Sequence, residues 1–270
     1  MNKKIIKISQ LQIQGLEEPV KNSELIKENL LKTIPFNPDI ISTPECSNII
    51  TSDRAHLFKY ATYQSKCPVL DVCLKFAKKY KKIVHIGSLL LKKKNSKKLL
   101  NRSFLINKEG KIIDYYDKIH LFDVNINSKE IHRESQSFNK GKKIVVCKIK
   151  QVTLGLSICY DIRFPALFRD LTKKGAQIIF IPSAFTVPTG KDHWETLLRT
   201  RAIENTVFVV ATAQCGRHHN NRKTYGHSMI INPWGKIIKK TSSVPKILNS
   251  RINLEEIKVT RLRMPSIYHD

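Results

Sequence analysis

No stretch of this 270-residue chain approaches the ~20 consecutive apolar residues of a membrane span, so no membrane role is expected. The opening MNKKIIKISQLQIQ starts with lysines, but Lys7, Ser9 and Gln10 break any apolar leader core. The six cysteines (46, 67, 73, 147, 159 and 215) include no C-x-x-C pair and no cysteine–histidine spacing that suits a metal. Adjacent His218 and His219 point to opposite faces of an extended segment, and no i, i+4 histidine pair exists, so no metal site is expected. No repeat, low-complexity segment or linker divides the chain, which reads as one domain over residues 1–270.

Acidic residues are scarce, 22 against 48 Lys and Arg, which leaves a formal charge of +26. On composition alone that balance points to nucleic acid or anionic membranes. Lysine outnumbers arginine, however, and specific recognition favours the bidentate and stacking contacts of arginine. The lysines also lie all along the chain, and the densest run, LLLKKKNSKKLLNR, reads as a charged hairpin tip between two strands. Weak polyanion binding is expected, and no specific nucleic-acid partner. The same positive field can attract a di- or tricarboxylate.

What is present centres on Cys159. It ends an alternating segment, GLSICYDIRFP, and is followed by PALFRDLTKKG, in which Pro165 opens a helix and Gly175 closes it. The thiol thus stands at a strand-to-helix corner, where α/β architectures place nucleophiles. Alone, such a cysteine reads as a small buried hydrophobe. Its company changes that. Asp39–Pro44 reads as a short buried strand that leaves Glu45 at its carboxyl end, and Lys118 follows the strand-like Ile112–Tyr116. A carboxylate can take the thiol proton, the thiolate can attack an electrophilic carbon, and an ammonium can hold the resulting oxyanion. On residue types alone, His120, two positions beyond Lys118, remains an alternative base.

TPEC around Glu45, DKIHLFD around Lys118 and GLSICYDIRFPAL around Cys159 together resemble the Glu–Lys–Cys signature of the nitrilase superfamily of carbon–nitrogen hydrolases. Order and spacing agree as well, at 73 and 41 residues. The resemblance implies a four-layer α-β-β-α sandwich without metal or organic cofactor. It also implies Glu45 rather than His120 as the base, and a second carboxylate, Glu134 in HRESQSF, that positions the lysine. The preceding loop, DVNINSKEIHRES, lacks the glycines expected there, so an altered rim is anticipated. The backbone N–H of Tyr160, next to the nucleophile, is the expected second oxyanion donor.

In the second half, QCGRHH, YGHS and a Pro-Trp-Gly turn resemble the branch that hydrolyses deaminated glutathione. PEC and DKIHLFD also resemble the neighbouring ω-amidases, which act on 2-oxoglutaramate or 2-oxosuccinamate, and nitrile hydrolysis is a further alternative. A substrate amide bearing carboxylates would be received by Arg163, Arg217 and His218. Asp192 is expected to cap a helix beginning near His193, with Glu195 reaching back. Val207–Ala213 reads as a buried central strand, and Asn232–Gly235 as a hairpin turn. A thiol nucleophile implies a reducing compartment, hence the cytoplasm. The resemblance implies a homodimer, and Arg199, Arg201 and Glu204 are expected near its axis. A rival of another class, an enzyme-derived fold that binds a partner or nucleic acid, is disfavoured because Glu45, Lys118 and Cys159 are all present in favourable contexts.

Overall fold

Strands Ile5–Gln12, Ile40–Ser42 and Ile83–Lys92 run parallel, and Lys246–Asn253, Leu99–Ile106 and Ile112–Asp117 extend this sheet with antiparallel pairings. The short strand Thr62–Tyr63 also pairs with Ile83–Lys92. In the second sheet, Val152–Leu156, Ile178–Phe180 and Phe208–Ala211 are parallel, flanked by antiparallel Val146–Ile149, Met229–Ile231 and Ile237–Lys240. The structure, a computed structural model, describes residues 5–128, 130–149 and 152–269. The chain start discussed above lies partly outside these residues.

Successive residues of a strand point to opposite faces, so the central strands serve two separate cores. Ile40 joins Ile8, Leu105, Leu154, Phe180 and Val210 in the core between the sheets. Its neighbour Ile41 instead packs with Ile26 and Leu30 of helix Pro19–Lys32 and Leu70 and Phe76 of helix Pro68–Tyr80. Helices Pro165–Lys173 and Glu195–Asn205 cover the second sheet through Phe168, Leu171, Leu198 and Ala202. The result is the four-layer α-β-β-α sandwich.

A polar seam fixes how the sheets meet. Thr212 donates to the Ser42 hydroxyl across the interface (2.9 Å), and Ser42 and Ser103 hold the two ring nitrogens of buried His85 at 2.9 and 3.0 Å. Gln10 reaches over to the Ala211 carbonyl (2.7 Å). Such groups are tolerated inside because most of their polar atoms find partners, Gln10 Oε1 being an exception among the described residues.

Local expectations mostly hold. The helix after Cys159 spans Pro165–Lys173, with Gly175 at φ +93 beyond its end. A 3₁₀ turn, Cys159–Arg163, intervenes between strand and helix. The lysine-rich run caps a hairpin, Phe208–Ala211 is fully buried, and Gly235 closes the Asn232 turn at 2.9 Å. Asp192, by contrast, caps nothing. Helical structure starts earlier, at Val187–Pro188, where proline sets the first turn, and runs through a wide-turn segment, Gly190–Trp194, into Glu195–Asn205.

Candidate active site

Four strand-end or loop side chains converge where the sheets meet. Lys118 extends its ammonium from the end of strand Ile112–Asp117 to Glu45 Oε1 (3.0 Å) and to both carboxylate oxygens of Glu134 (3.1 and 2.9 Å). The Cys159 thiol lies beside the Glu45 carboxylate, close enough that each shifts the other's ionisation. Glu45 and Lys118 are buried, and Cys159 nearly so.

Local backbone explains this convergence. Cys159 has φ +48, and Cys46, beside Glu45, has φ +58, a region that non-glycine residues seldom adopt. Hydrogen bonds hold both conformations: the Cys159 N–H donates to the Pro182 carbonyl (2.9 Å) and the Cys46 N–H to Ser88 Oγ (3.0 Å). The Gln214 amide donates to the Glu45 carbonyl (3.0 Å), which gives the glutamine of QCGRHH a task at the site. Tyr225 of YGHS lies against Gly190, where a Cβ would come within 2.3 Å of its ring. Of the C-terminal motifs, QCGRHH thus reaches the site directly, through Gln214.

The first bond of the 3₁₀ turn runs from the Asp161 N–H to the Ile158 carbonyl (3.1 Å). The Tyr160 N–H lies ahead of it, among the donors a helical start leaves unpaired. It is the donor available beside the nucleophile.

Electrostatics tie the set together. Burial pushes the Glu45 carboxyl up, but the Lys118 ammonium, with help from the Cys159 thiol and Asn101, outweighs it and holds Glu45 below the usual carboxylate range. Burial pushes Lys118 down, yet Glu134 and Glu45 raise it well above the usual lysine value. Burial and then Glu45 push the Cys159 thiol well up, against the pull of Lys118. The resting site is therefore carboxylate, ammonium and neutral thiol.

His120 is committed elsewhere. Its Nδ1 lies 2.7 Å from buried Asp161 Oδ1, and its ring stacks on Phe164 at 3.6 Å. Asp161 also accepts from the Tyr116 hydroxyl and the Ile158 N–H, both at 2.8 Å. His120 and Asp161 brace the corner rather than contact the thiol.

The three expected carboxylate receivers separate. Arg163 stacks over Tyr160 and Phe185, touches His193 Nδ1 at 3.0 Å and has no carboxylate partner among the described residues. His218 is ruled out by its own bonds: Nδ1 is held by the Gly15 carbonyl (2.9 Å) and Nε2 by Thr224 (2.7 Å), and burial pushes it down to about 4. Arg217 is exposed on a short hairpin and bonds Asn221 at 3.4 Å, with no contact to the Glu45–Lys118–Cys159 set among the described residues. The loop before Glu134 forms a hairpin, Asp123–Asn127 with Glu130–Arg133, and Lys129 lies outside the described residues. Phe122 at its base donates its N–H to Glu134 Oε2 (2.6 Å).

Two contributors escaped sequence reasoning. Asn101 donates to Glu45 (2.9 Å) and Glu134 (3.2 Å) at once; a lone amide in the apolar strand LLNRSFLI was its signal. The Ala184 N–H holds Glu45 Oε2 at 2.8 Å, and a backbone donor leaves no side-chain trace.

Residues 7–262 match the model of the carbon-nitrogen hydrolase family. The chain belongs to that family. It is thus a hydrolase of carbon–nitrogen bonds other than peptide bonds. The family member described as deaminated glutathione amidase from Yersinia enterocolitica is 36% identical over 247 residues, covering 90% of this chain and 85% of that one. Among solved structures, the C. elegans NitFhit protein superimposes with a TM-score of 0.92 at 32% identity, over 100% of this carbon–nitrogen hydrolase and 66% of that chain. Saccharomyces cerevisiae Nit3, of branch 10 of the nitrilase superfamily, gives 0.87 at 27% identity over 97% and 94%. Among the described residues, no helix is long and apolar enough to cross a membrane.

Proposed function

We propose that the chain is a cysteine amidase that works through a thioester, with deaminated glutathione as substrate and 2-oxoglutarate and cysteinylglycine as products. The observation that carries the mechanism is the buried Glu45 carboxylate held on the Lys118 ammonium at 3.0 Å beside the buried Cys159 thiol. As Sγ attacks the amide carbonyl carbon, its proton passes to Glu45. The oxyanion gathers on the carbonyl oxygen, received by Lys118 and the Tyr160 N–H; losing one such donor from a dry site costs about 3–4 kcal/mol. Collapse breaks the C–N bond, Glu45 returns the proton to the leaving amine, and a thioester remains. Glu45 then takes a proton from water, the hydroxide oxygen bonds to the thioester carbon, and the thiol leaves with that proton.

The substrate reading rests on the names of the relatives and on Arg163 at the corner of the nucleophile without a carboxylate of its own. A panel of deaminated glutathione, 2-oxoglutaramate, 2-oxosuccinamate, β-ureidopropionate and a simple nitrile tests it. Fastest turnover of deaminated glutathione supports the reading; preference for the nitrile or β-ureidopropionate would overturn it. All six cysteines are free and buried, in keeping with a cytoplasmic enzyme.

The reading includes a homodimer, though not through Arg201. That guanidinium is buried, with Nε on the Ile162 carbonyl (2.7 Å) and Nη1 on Glu204 (2.6 Å), so it braces the nucleophile's turn. The exposed apolar groups nearby are Ile203, Trp234 and Leu262, at 48%, 50% and 76% exposure, and they suit an isologous contact. Sedimentation of Leu262→Glu should show a monomer where the parent is a dimer; an unchanged dimer would exclude this face.

A further inference from the structure

Asn101 sits where the two active-site carboxylates approach one another. Its Nδ2 donates to Oε1 of Glu45 at 2.9 Å and to Oε1 of Glu134 at 3.2 Å, the same two oxygens that Lys118 Nζ holds at 3.0 and 3.1 Å. Its own backbone carbonyl accepts the Lys118 N–H (3.0 Å), so side chain and main chain both address the lysine's segment. The amide's orientation follows from its partners, since ionised carboxylates only accept and must be faced by the NH₂. Asn101 Oδ1, in consequence, is buried without a partner among the described residues. An orphaned buried acceptor is unfavourable, and an apolar residue of similar size would avoid it. The two donors are what the position supplies.

The donor arithmetic shows why they matter. An ammonium has three hydrogens, and Lys118 directs them to one oxygen of Glu45 and both oxygens of Glu134. Receiving an oxyanion requires one of them to turn away. The outer oxygens are already secured by backbone: Glu45 Oε2 by the Ala184 N–H at 2.8 Å, Glu134 Oε2 by the Phe122 N–H at 2.6 Å. Asn101 secures the inner oxygens. With it, each carboxylate keeps two donors when the lysine reorients.

We propose that Asn101 is a positioning residue that clamps Glu45 and Glu134 in place while Lys118 turns a hydrogen to the oxyanion. The proposal rests on Glu45 acting as the base and Lys118 as the oxyanion donor. The titratable groups facing Glu45 are Lys118, Cys159 and Cys46, with Glu134 reaching it across the lysine. Among the uncharged groups, Asn101 favours the ionised carboxylate.

The test is the pH dependence of kcat and KM for Asn101→Leu and Asn101→Asp, with Glu45→Gln measured alongside on the amide the parent turns over fastest. Asn101→Leu removes both donors at similar size. We expect kcat to fall at least ~10-fold with KM changed far less, and the acid limb of kcat/KM to move toward neutral pH because Glu45 protonates more easily. Asn101→Asp places a third carboxylate in the cluster, so its activity relative to the parent should rise on acidification, when the acid regains a donor hydrogen. Opposite pH trends in two variants of one shape cannot come from lost stability alone. Parent-like pH profiles in both, with only thermal stability altered, overturn the clamp. A fully active Glu45→Gln instead overturns the base assignment on which the clamp depends.

Discussion

Gly87 and Pro182 touch where the two sheets bring Glu45 and Cys159 together: a Cβ on Gly87 would lie 2.5 Å from the Pro182 Cβ and 2.2 Å from the Thr43 carbonyl oxygen. Thr43 leads into Glu45, and the Pro182 carbonyl accepts the Cys159 N–H. The bare glycine therefore sets the distance between the two loops. Gly87→Ala must push one of them away, and a misplacement of about 1 Å can cost on the order of 100-fold in rate. Steady-state kinetics should show kcat reduced by about that factor with a folded protein by circular dichroism. Parent-like turnover would mean that the loops tolerate separation.

Arg163 should decide between charged and neutral substrates. Arg163→Ala is expected to raise KM for a carboxylate-bearing amide at least ~10-fold, the scale of one lost charge-assisted contact, while a small neutral amide is hardly affected. Arg217→Ala should change neither. Equal loss on both substrate types would assign Arg163 to bracing the corner.

Acid should destabilise the fold through two buried histidines. Burial holds His85 down to about 3 and His218 down to about 4, from 6.5 when unfolded. The folded state therefore keeps both neutral while the unfolded chain takes up protons below pH 6.5, so stability falls as pH drops, by up to about 1.4 kcal/mol per unit for each histidine. Urea unfolding at pH 7 and pH 5 should reveal this loss, and His218→Gln should make the dependence shallower. A stability that does not change over that range would contradict it.

The residues that carry local rules were legible in the sequence. Pro165 and Gly175 bound their helix because proline and glycine act through their own backbone geometry, and Glu45, Lys118 and Cys159 follow short strands whose apolar runs are visible. What stayed hidden depends on distant partners. Asn101 finds its carboxylates 56 and 33 residues away, so its place in an apolar strand marks it as unusual without disclosing its partners. Arg201 reads from the sequence as a group near a dimer axis, yet the Ile162 carbonyl, 39 residues earlier, draws it inward. His218, adjacent to Arg217, shares a polar motif with it, but only tertiary packing occupies both its ring nitrogens.

Covalent catalysis at Cys159 is tested most directly by acid-quenching the enzyme during turnover and measuring the mass of the peptide that contains Cys159. The account predicts that this peptide gains the acyl half of the substrate, that the adduct disappears as substrate is consumed, and that Cys159→Ala shows neither adduct nor turnover. Full turnover by Cys159→Ala, or an adduct on any of the other five cysteines instead, would contradict it.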